Sequence, residues 1–60
     1  EEYTEAEIIA ATRKLYFSLK EEGHTPQEIT KKITQMEPFN RYLAVVCDVF
    51  DQIESEENNK

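Results

Sequence analysis

Cysteine occurs once in these 60 residues, at Cys47, so no disulfide can form within the chain and a zinc site built on thiolates lacks its ligands. Disulfide-stapled extracellular scaffolds are excluded, and a reducing, intracellular compartment is the expected setting. Histidine and glycine also occur once each, at His24 and Gly23, which removes two-histidine metal motifs and glycine-rich phosphate loops. The longest apolar run, Tyr42 to Cys47, is far short of the roughly 18 residues that cross a bilayer. No basic region followed by an apolar stretch opens the sequence, so neither a membrane span nor a signal peptide is expected in it. Apolar types make up only 38%, below the roughly 45–50% of an ordinary globular domain. A chain this short has one thin core, supplying no more than about 3–5 kcal/mol without help from a metal, a disulfide or a partner. The expected unit is one small domain, and a first residue of Glu1 rather than methionine fits either a processed chain or a piece of a longer protein.

What the chain does have is charge, 33% of its residues, with a net of −6. Residues 1–12 carry acids and no base, and 42–60 carry acids against Lys60 alone. The bases Arg13, Lys14, Lys20, Lys31, Lys32 and Arg41 all fall in the middle. Overall acidity repels polyanions at long range, so nucleic acid is not the expected partner. From Glu54 onward there is no apolar residue, and 56–60 reads as a flexible acidic and polar tail behind a folded domain over 1–55.

Three helices are expected. Thr4 followed by Glu7 has capping-box spacing, and the first helix, about 5–22, ends at Glu22-Gly23 because glycine tolerates the left-handed C-cap conformation. Its core stripe is Ile8, Ala11, Thr12, Leu15 and Leu19, flanked by Ile9 and Tyr16. Thr25-Pro26-Gln27-Glu28 combines an N-cap, a first-turn proline and a second capping box, opening a short helix over 26–35 with the narrow stripe Ile29, Ile33, Met36. Pro38 reads as the first turn of a helix over 38–55, in which Phe39, Leu43, Val46, Phe50 and Ile53 form one stripe widened by Tyr42, Val49 and Cys47. The fold class is therefore all-α, a small three-helix bundle with a short middle helix. A helical hairpin with a lid, or a swapped dimer, would use the same pattern.

The residues offer little chemistry. One histidine and one cysteine on different elements do not make a metal site, and Asp48 and Asp51, paired at i,i+3, sit on a polar face with no pocket to set them to acid–base work. Cys47 reads as a small core residue and His24 as a turn residue near free carbonyls. No catalytic residue, cofactor or metal is expected. The expectation for function is a docking or regulatory domain that binds another protein or a second copy of itself. Its surface would be Tyr3, Arg13, Phe17, Lys20, Tyr42 and Val45, with Phe17 lying opposite Ile8 and the two cations meeting acids of the partner. The alternative is a helix-turn-helix domain using Lys31, Lys32, Asn40 and Arg41, with the third helix reading DNA. Against it stand the acids Asp48, Asp51 and Glu54 on or beside that helix's solvent face.

Overall fold

The computed structural model describes residues 2–59. The chain forms α1 (Glu5–Glu21), α2 (Pro26–Thr34), a 3₁₀ turn (Phe39–Arg41) and α3 (Leu43–Asn58), with no strand among the described residues. Both capping boxes are closed. The Glu7 amide donates to Thr4 Oγ1 at 3.2 Å and the Thr4 amide to Glu7 Oε1 at 2.8 Å; at α2 the Glu28 amide donates to Thr25 Oγ1 at 3.3 Å and the Thr25 amide to Glu28 Oε1 at 3.1 Å. Helix α1 ends in a Schellman motif. Gly23, at φ 102°, lets its own amide reach the Lys20 carbonyl and the His24 amide reach Leu19, satisfying carbonyls that a helix end otherwise leaves unpaired.

Helix α1 is the common wall. It packs along both α3 and α2, while α2 and α3 touch each other more sparingly. The buried line on α1 is Ile8, Thr12 and Tyr16, joined by Ile29 and Ile33 from α2, Phe39 from the 3₁₀ turn, and Val46, Val49 and Ile53 from α3.

The third helix departs from expectation at both ends. It starts at Leu43 rather than Pro38, because the segment before it winds as a 3₁₀ turn and Tyr42 (φ −127°, ψ 44°) leaves helical space. The Glu37–Pro38 peptide is cis. A 3₁₀ turn advances about 120° per residue instead of 100°, so the wheel counted through from Phe39 loses phase. Phe39 still reaches the core, but Leu43 emerges to 46% exposure and the buried stripe of α3 becomes Val46, Val49, Ile53, with Phe50 partly buried beside it. Cys47 is exposed rather than a core residue for the same reason. At the other end the helix runs on through Asn58, into the segment read as a flexible tail; Lys60 lies outside the described residues.

The revised faces predict that Ile53→Ala costs about 2–5 kcal/mol while Leu43→Ala stays within about 0.5 kcal/mol of the parent in a denaturant titration. Equal losses at the two sites would refute this register for α3. A second prediction concerns Thr12, which is fully buried with its hydroxyl unpartnered. Thr12→Val keeps the shape and removes the stranded polar atom, and should raise stability by about 1 kcal/mol. A lower melting temperature in that variant would mean the hydroxyl has a partner after all.

Candidate docking groove

The two shoulders of α1 have different fates. On one side of the buried line lie Arg13 and Lys20, seven residues apart and so on one face. Both are taken by α3: Arg13 makes a two-pronged pair with Glu56, Nη1 to Oε1 at 3.3 Å and Nη2 to Oε2 at 2.7 Å, and Lys20 Nζ pairs with Glu57. Hydrogen bonding to these carboxylates raises the pKa of both cations above the ordinary values, and burial pushes the Tyr16 phenol between them upward. The cations expected to meet a partner's acids therefore meet the chain's own.

The opposite shoulder is less completely covered. Leu15 and Leu19, expected in the core, are only partly buried, because α2 is nine residues long and offers two buried side chains, Ile29 and Ile33, to cover them. Met36, expected to complete the α2 stripe, stands beyond the end of that helix at 42% exposure. The result is an open hollow of about 450 Å³ lined by Leu15, Leu19, Lys32, Gln35 and Met36. Leu15 is shared with a second hollow of about 370 Å³, lined also by Ala11, Lys14, Ser18 and Phe39. Together they make one groove running along α1 from Ala11 to Leu19. No carboxylate lines either hollow, in a chain with 13 of them.

The residues singled out from the sequence do not form one surface. Tyr3 is 44% exposed and its amide donates to Tyr42 Oη at 3.2 Å, so these two meet at one end of the molecule. Tyr42 and Val45, expected to face a partner, pack partly against the core. Phe17 is exposed at 41%, with the Tyr16 ring set edge-on to it at 5.5 Å. Lys31, Lys32, Asn40 and Arg41 are all exposed. Arg41 pairs with Glu37 at 3.2 Å, and Asn40 and Arg41 belong to the 3₁₀ turn rather than to the helix that would read DNA. That helix carries Asp48, Asp51, Glu54, Glu56 and Glu57 and no base.

Among the described residues no group of three or more His, Cys, Asp or Glu side chains converges as a metal site would require. His24 sits between two carboxylates, Nε2 at 3.6 Å from Glu22 and Nδ1 at 3.8 Å from Glu28. No helix of the described residues is long and apolar enough to cross a membrane. Compared with known proteins, the chain matches no family, no curated protein and no solved structure.

The Thr25 amide, donating to Glu28, holds that carboxyl below the ordinary glutamate range, with His24 and Lys32 acting in the same direction. A depressed folded pKa means a contribution to stability that is complete above the unfolded pKa and disappears as pH falls through the folded one. Glu28→Gln keeps a side chain able to close the capping box but cannot titrate. Its melting temperature should therefore fall less than the parent's when pH is lowered through the acid range. Parallel curves for the two proteins would remove Glu28 from the acid response.

Proposed function

We propose that this chain is a non-catalytic docking domain that receives an apolar element of another protein in the α1–α2 groove. The reading rests on one observation: Leu15, Leu19 and Met36 form a continuous, partly exposed apolar surface that the short α2 leaves uncovered. Helical guests commonly bind such grooves, laying an apolar face between two helices of the host. A docking or regulatory module of a larger protein is the role this fits. An intracellular setting accords with a single, exposed cysteine that has no disulfide partner.

Phe17 supports a second site for the same function, since it is a large exposed aromatic on the outer face of α1. Its neighbours Arg13 and Lys20 are engaged with α3, so it offers a single contact point where the groove offers a surface. The helix-turn-helix alternative draws no support from α3, whose carboxylates would face the phosphate backbone.

The test is a titration of the full chain with a neutral amphipathic helical peptide, followed by backbone amide shifts. Perturbations should cluster on residues 11–19 and 32–39. Met36→Ser should weaken binding about three- to eightfold, because fully burying such a side chain is worth about 1.5–3 kcal/mol and Met36 has 42% of its surface left to cover, while leaving the melting temperature nearly unchanged. Perturbations centred on Phe17 and abolished by Phe17→Ser would move the interface to the outer face of α1. Binding that survives Met36→Ser undiminished would reject the groove.

A further inference from the structure

We infer that the occupant of the groove is an acidic amphipathic helix from a different protein, its apolar stripe seated on Leu15, Leu19 and Met36 and its carboxylates placed against Lys14 and Lys32. This inference rests on the docking reading above and names the partner's chemistry.

Length and shape come first. From Ala11 to Leu19 the groove follows α1 for eight residues, about 12 Å at 1.5 Å per residue. A guest helix of two turns presents apolar side chains at i, i+4 and i+7 over nearly the same distance. Both hollows are open to solvent, so a small apolar ligand would remain largely wet in them, whereas a helix would cover them along their length.

Charge then selects the kind of helix. Arg13, Lys20 and Arg41 are paired with Glu56, Glu57 and Glu37. Among the described residues that leaves Lys14, Lys31 and Lys32 without a carboxylate within ion-pair distance, Lys32 acting on Glu28 one turn away only at longer range, and Lys14 and Lys32 are the two that line the groove. Lys14 stands on the α1 wall and Lys32 on the α2 wall. An acidic guest would be flanked by both, and a basic one would be opposed by both.

A second copy of this chain fits poorly. Its large exposed apolar side chains are Tyr3, Phe17, Met36 and Leu43, and each lies on a different segment. No helix therefore offers more than one such anchor. Helix α3 has the right charge, but after Leu43 its exposed face continues with Ala44, Cys47 and then carboxylates.

The net charge of −6 makes the test demanding, since the field of the whole molecule favours a basic guest. At about 0.15 M salt the screening length is about 8 Å, so distant acids fade while contacts at the groove persist. The probes are three synthetic helical peptides of about 14 residues with leucines at i, i+4 and i+7, flanked by glutamate, lysine or glutamine, and the readout is fluorescence anisotropy with the full chain. The glutamate peptide should bind about tenfold tighter than its lysine twin. The double variant Lys14→Glu/Lys32→Glu should reverse that order with an unchanged helical circular dichroism spectrum. Equal or tighter binding of the lysine peptide, with the glutamine peptide still weakened in Met36→Ser, overturns the acidic partner and leaves the docking groove standing. Binding of none of the three overturns both. A dimer in sedimentation that Met36→Ser dissolves would give the groove to a second copy and overturn this inference.

Discussion

Burial of the Ile8, Thr12, Tyr16 line of α1 against two neighbours at once is the contact on which the remaining geometry depends. One helix face can be covered fully by two partners only if both are long enough, and here one is not. The sixteen residues of α3 reach the whole of α1 and continue to Glu56 and Glu57, which close over Arg13 and Lys20. The nine residues of α2 end at Thr34, and the chain then turns away through Pro38. The groove at Leu15, Leu19 and Met36 is thus a consequence of unequal helix lengths around a shared wall.

The parts legible in the sequence were those set by local chemistry. Both capping boxes, the proline at the start of α2 and the glycine after α1 each require particular residue types at fixed spacing, and each boundary fell where those residues stand. The register of α3 was not legible, because a proline in the first turn of a helix and a proline ahead of a 3₁₀ turn are spelled alike. Once Tyr42 left helical space, Leu43 and Cys47 rotated outward and Val49 inward. The reach of α3 was missed for a different reason. Glu54 to Asn58 contains nothing apolar, and its contacts with α1 are ion pairs, Arg13–Glu56 and Lys20–Glu57, that no pattern within the segment announces.

The candidate site was half written in the sequence. The pattern gives seven residues of α1 to its core face or flank and only three to the second helix, but it expects the third helix to be the main cover of α1. Periodicity gives the direction of a stripe but not the length of what lies across it, so Leu15, Leu19 and Met36 were read as core. The wheel sets Phe17 opposite the stripe, to be either wrapped by another segment or exposed, and the structure leaves it exposed.

Electrostatics and packing reinforce one another in this arrangement. Acids concentrated on α3 neutralise Arg13 and Lys20 on the near shoulder of α1 and leave Lys14 of α1 and Lys32 of α2 beside the apolar groove. The thin core gives that placement an energetic consequence. A single core in a chain of this size supplies no more than about 3–5 kcal/mol, and a guest present at a hundred times its dissociation constant adds about 2.7 kcal/mol to the stability of the folded state. Occupancy and folding are then of similar magnitude. A guest across Leu15, Leu19 and Met36 would add that stability by covering the part of the common wall that α2 and α3 leave partly exposed.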